Sequence, residues 1–172
     1  MGPCRPRLSC PVQRFLRFGS LPKTADMSDD FETKYARHKE LCAKANEQNK
    51  TVLFAALAPT GITTISVEFD GEGDSGQING ISARAGDQPA QLPVTRIALQ
   101  QVSWGDTEAT SSEFTLEAAV EALCYDYLEQ EHGGWENNDG AYGEFHIDIT
   151  ERTIDLEFYS RYTDVEKYSH SF

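Results

Sequence analysis

The 172 residues are 39% apolar and 10% aromatic, which suits one folded domain and excludes a low-complexity or disordered chain. No apolar run approaches the roughly 18 residues that a membrane-spanning helix needs. The formal net charge is −13, from 15 basic and 28 acidic residues, so nucleic-acid phosphates should repel the chain.

That charge is unevenly spread. Residues 1–26 hold Arg5, Arg7, Arg14, Arg17 and Lys23 against Asp26 alone, a net +4. Residues 106–172 hold three basic residues (Arg152, Arg161, Lys167) against 17 acidic ones, a net −14. Without its first 26 residues the chain carries −17, beyond the magnitude of about 2–8 that keeps a small domain soluble. Such self-repulsion destabilises a compact state. Generic solubility or a salt-rich habitat would explain it; so would a surface made for a basic partner.

The Arg-rich leader, residues 1–26, lacks the apolar core of a secretory signal. Arg14 to Phe18 fits an amphipathic transit peptide weakly. The preferred reading is a poorly ordered leader from a misassigned upstream start, with the acidic domain running from Met27 to Phe172. Ser28 offers a helix cap, and Asp29 and Asp30 suit a first turn. Phe31, Tyr35, Leu41, Cys42 and Ala45 follow as a narrow stripe, which predicts a peripheral helix. Asn46 to Asn49 reads as a break before a second, short helix over 52–58, ended by Pro59 and Gly61. Cys42 and Cys124 fall on helical stripes as small hydrophobes. They form neither a zinc pattern nor a disulfide framework, which points to a reducing, cytoplasmic compartment.

Ile65, Val67 and Phe69 alternate with polar residues, predicting a half-buried strand over 62–70. GEGDSG (71–76) reads as a loop. A second strand is expected over 77–84, with a bulge at Asn79-Gly80 because Ile78 and Ile81 are out of step. A loop over 86–93 precedes a possible third strand within 94–104. Thr115 caps the clearest helix, whose stripe is Leu116, Ala119, Val120, Leu123, Cys124, Tyr127 and Leu128, with Gly133 as a left-handed C-cap. A hairpin turning at Glu151-Arg152 ends the pattern. Phe145, Ile147 and Ile149 lie on one strand, with Ile154, Leu156 and Phe158 as partners. The order predicts an α+β fold: an antiparallel sheet of four to five strands, built from two hairpins, with helices packed on one face.

Three segments are candidate sites. Asp70, Glu72 and Asp74 alternate like the start of a calcium loop, but Ser75 and Ile81 stand where an EF-hand needs Gly and Glu. The segment 132–145 is dense in special residues: Trp135, Glu136, Asn137, Asn138, Asp139 and Tyr142 make it a candidate binding loop. The polar face of the final hairpin carries Glu144, His146 and Asp148 beside Asp155 and Glu157, like charges that cost stability unless used. No catalytic residue, metal or cofactor is assigned; there is no GxSxG and no strand–GxGxxG–helix unit, and the four histidines lie in separate elements.

FDGEGDSGQI (69–78), the stretch 116–145 ending in GGWENNDGAYGEF, and the ending 149–172 resemble a family of uncharacterised bacterial proteins met on plasmids and integrative elements. The resemblance covers residues 62–172 and brings no catalytic residue with it. It implies a mobile-element setting, and it favours Met27 as the start. The leading functional expectation is a non-enzymatic binding protein whose acidic half engages a basic protein, such as a DNA-binding protein, by mimicking phosphate charge. The alternatives are a divalent-metal-dependent enzyme or metal-binding protein using Asp70, Glu72 and Asp74 with Asp139 and His146, and a structural accessory subunit.

Overall fold

The computed structural model describes residues 27–172, with side chains from Asp30 onward. The expected leader over 1–26 and the side chains of Ser28 and Asp29 lie outside the described residues. Helix α1 (Met27–Leu57) passes into a 3-10 turn (Ala58–Thr60) that Gly61 ends at φ +78°. Strands β1 (Thr64–Glu72), β2 (Ser75–Ala85), β3 (Gln88–Ala90), β4 (Arg96–Gln101) and β5 (Thr110–Thr115) follow, then helix α2 (Leu116–His132) and strands β6 (Ala141–Asp148) and β7 (Thr153–Ser160). The main sheet is antiparallel, in the order β3-β2-β1-β6-β7; β4 and β5 form a separate pair.

The core lies on one face of the main sheet. Ile65, Val67 and Phe69 of β1 and Phe145 and Ile147 of β6 point into a cluster with Leu116, Ala119, Val120, Leu123 and Leu128 of α2. Leu53, Phe54 and Leu57 bring the last turns of α1 into the same cluster. Thr115 caps α2 as expected, its Oγ1 accepting from the Ala118 N–H at 3.2 Å. The bulge at Asn79 is also present: Glu68 faces Gly80 while Phe69 faces Ile78, so Asn79 is the extra residue. That one insertion restores the phase of β2. Ile78 and Ile81 then both lie opposite inward residues of β1, Phe69 and Val67.

Other expectations are corrected. α1 does not break at Asn46 to Asn49. Both asparagines are buried at 4% and 2% exposure, and tertiary hydrogen bonds hold them. Asn46 Nδ2 donates to Gln130 Oε1 at 3.2 Å. Asn49 donates to the Gln100 carbonyl at 2.8 Å and accepts the Gln100 N–H at 2.7 Å. Asn49 thus pairs with β4 as a neighbouring strand would, which outweighs its weak helix propensity. The GEGDSG loop is a two-residue turn, because Gly73 and Asp74 adopt φ +61° and +65° and let the strands run to its edges. β3 lies inside the segment expected to be a loop, and β5 has no signal in the pattern: its residues TSSEFT show little apolar alternation. The left-handed glycine after α2 is Gly134 at φ +76°, since Gly133 stays at φ −51°. The final hairpin pairs Ile147 with Ile154 and Phe145 with Leu156, while Phe158 faces Gly143. Ile149 falls in the turn, which is longer than expected and closes at Arg152, φ +58°.

Asn49→Ala should lower the unfolding free energy in urea by about 1–3 kcal/mol, because it leaves the Gln100 backbone groups unpaired. Asn79→Ala, on an exposed bulge, should change it by less than about 0.5 kcal/mol.

Candidate functional site

The two glycine-rich segments meet. Trp135, only 9% exposed, lays its ring against Gly71 and Gly76, and a Cβ at either glycine would collide with that ring. The indole also meets Phe69 edge-on, with centroids 5.4 Å apart. Backbone bonds finish the join. The Gly73 N–H donates to the Asn138 carbonyl at 2.9 Å, and the Asp74 N–H to the Glu136 carbonyl at 3.1 Å. Asp74 Oδ1 accepts the Asn138 N–H in return, at 3.3 Å. Gly140, at φ +71°, sits so close to the Gly71 carbonyl that no side chain fits there.

The chain beyond β7 is tied to the same knot. Arg161 donates to both oxygens of Asp70, at 2.8 and 3.1 Å, and to the Gly71 carbonyl at 3.0 Å. Its guanidinium lies 4.7 Å from the centre of the Tyr142 ring. Asp139 accepts from both the backbone N–H and the hydroxyl of Thr163. Asp70, Asp74 and Asp139 therefore have protein partners. Glu72 is exposed at the end of β1, and the Asn137 N–H closes a turn onto the Gly134 carbonyl at 3.0 Å. Glu136 keeps one buried oxygen, Oε2, without a hydrogen-bond partner. Among the described residues, no three or more His, Cys, Asp or Glu side chains are grouped as metal ligands would be.

The remaining candidates lie on the outer face of the main sheet, opposite the helices. Register decides their arrangement. Glu68 of β1 faces Glu144 of β6, and Glu144 faces Glu157 of β7. Three glutamates thus stand in line across three adjacent strands. The next line holds Ser66, His146 and Asp155, and the one on the other side Asp70, Tyr142 and Tyr159. His146 Nε2 lies 3.7 Å from Glu144 Oε2, and among the described residues no lysine or arginine pairs with Glu68, Glu144 or Glu157. The Tyr142 and Tyr159 rings stack at 5.1 Å. The Glu157 charge raises the Tyr159 hydroxyl pKa. Asp148 does not join the line. Its Oδ1 accepts the N–H groups of Thr150 and Glu151, each at 2.8 Å, and so closes the hairpin turn.

Sequence reasoning missed Glu68. Its alternation with Ile65, Val67 and Phe69 already put it on the outer face of β1; what was not legible is that β6 pairs with β1, 76 positions away in the Glu68–Glu144 pair. Trp135 is part of the core rather than an accessible binding side chain.

The chain belongs to a family of unknown function, DUF6878, whose model matches residues 45–172. No curated protein and no solved structure matches it significantly. No helix among the described residues is long and apolar enough to cross a membrane.

Arg161→Gln removes the clamp and leaves Asp70 as a further free carboxylate. Amide hydrogen exchange should accelerate at Gly73, Asp74 and position 161, while amides in the middle of α2 keep their protection. Unchanged exchange at Gly73 and Asp74 would show that Arg161 does not hold the knot.

Proposed function

We propose that the protein is a non-enzymatic binding protein whose open acidic sheet face engages a basic protein. The observation that carries this reading is the line Glu68–Glu144–Glu157, in register across three strands. Like charges placed directly opposite each other destabilise a sheet by about 0.2–1 kcal/mol per pair. Two such pairs on a solvent-facing surface are a standing cost to folding. A cationic partner would turn that cost into attraction.

The face has the right form for such a partner. Side chains repeat about every 4.8 Å across the strands and about every 6.7 Å along them, which makes a grid of carboxylates. The stacked Tyr142 and Tyr159 rings add faces that arginine or lysine can cover. Attraction of this kind raises the association rate and weakens steeply with salt. The finer reading is charge mimicry: the partner is a DNA-binding protein, and the face occupies the surface it offers to phosphates. The likeness to proteins of plasmids and integrative elements supplies a setting, since such elements gain from blocking DNA-binding host proteins.

The test compares two triple variants that lose the same charge. One is Glu68→Gln, Glu144→Gln, Glu157→Gln; the other is Glu113→Gln, Glu117→Gln, Glu121→Gln, away from the face. Immobilised wild type and the second variant should retain basic proteins from a bacterial lysate, release them with salt, and lose them to added duplex DNA. The first variant should retain at most about a tenth as much. Equal retention by the two variants would overturn the reading, as would no salt-released basic protein on the wild type.

A further inference from the structure

α1, α2 and the β4–β5 pair do not close fully on one another. They leave a cleft of about 360 Å³, within the size range of small-molecule sites. It lies on the helical side of the molecule, away from the acidic sheet face. Its apolar wall is Leu99, Phe114 and Ala122. Buried Asn46 and Asn49 also line it. Their bonds to Gln130 and to the Gln100 backbone fix the wall before any ligand arrives.

The charged groups on this cleft are unbalanced. Asp126 and Glu129, less than one turn apart on α2, both line it. Neither makes an ion pair among the described residues, and Lys39, which lines the opposite wall, reaches neither. Asp126 is exposed on one side, yet the protein around it pushes its pKa up to about 6 by desolvation. A carboxylate so placed gains from a cation that replaces lost water.

The α1 end of the cleft supplies a second feature that favours a cation. Tyr35 and His38 line it, and both touch Trp104, with ring centroids at 6.3 and 5.1 Å. Phe31 joins the same group at 5.7 Å from Trp104. Tyr35 and Trp104 are each 54% exposed, so these rings border the opening rather than fill the core. Aromatic faces at the border of a cleft attract organic cations.

We propose that this cleft binds a small organic ammonium ion, with its charged end at Asp126 and its apolar body against Leu99, Phe114 and Ala122. Cys42 lies on the wall with its Sγ 3.5 Å from His38 Nε2. Desolvation, with the nearby Asp126 charge, raises the Cys42 pKa, so the cysteine stays a neutral thiol and serves as wall, not nucleophile.

The probes are phenethylammonium chloride and its neutral analogue 2-phenylethanol, titrated into the isotope-labelled full chain and followed by amide resonances. The ammonium should give saturable shifts at residues 45–49, 99–103 and 122–130. The alcohol should bind at least about tenfold more weakly, as should the ammonium to Asp126→Asn, since each comparison removes a charge-assisted contact. Asp126 is exposed, so that variant should keep the wild-type spectrum elsewhere; the alcohol comparison uses the wild type and does not depend on it. Absence of saturable shifts, equal binding of ammonium and alcohol, or shifts confined to Glu68, Glu144 and Glu157 would overturn the proposal.

Discussion

The fit of Trp135 between Gly71 and Gly76 is the constraint on which the rest of the molecule depends. The indole occupies the space that two side chains on the β1–β2 hairpin would fill, so the hairpin tip and the loop after α2 lock together. That lock brings the start of β6 alongside the end of β1, where Gly71 pairs with Ala141. From there the antiparallel ladder fixes every other pairing, since a slip of one residue would turn each side chain to the opposite face. Phe145 and Ile147 then face the core, and Glu144 and His146 face solvent. The glycine-rich loops are therefore the structural key to the acidic face, not the face itself.

Arg161 and Asp139 extend the same logic. Each joins the chain after β7 to the knot, Arg161 through Asp70 and Asp139 through Thr163. Three of the carboxylates most suggestive of a cation site thus take part in holding the backbone together. The glutamates that do no such work stand in the open line across β1, β6 and β7. Acidity in this domain has two roles, one internal and one presented to solvent, and the sheet register separates them.

Local signals carried much of the fold. The period-2 run of β1, the 3.6-period stripe of α2 behind its Thr115 cap, and the Asn79 bulge were all readable, because each depends on neighbours in the chain. The failures were non-local. Asn46 and Asn49 look like a helix break until Gln100 and Gln130 arrive to pair with them. β5 has few apolar residues of its own and is held by pairing along the whole of β4. The site was legible in the same measure. Glu144, Asp155 and Glu157 followed from hairpin alternation, whereas Glu68 needed a pairing between distant strands. The cleft was not legible at all, because its walls come from four elements and its clearest marker, Asp126, reads as one more charge on the polar face of a helix.

If the glutamate line is held against its own repulsion for the sake of a partner, the free protein must show the strain. Thermal unfolding of the two charge-matched triple variants at low and high salt measures it without any partner present. The account predicts that replacing Glu68, Glu144 and Glu157 raises the midpoint by roughly 2–6 °C at low salt, that the gain shrinks as salt screens the charges, and that replacing Glu113, Glu117 and Glu121 changes the midpoint far less. Equal shifts in the two variants, or a lower midpoint for the first, would contradict it.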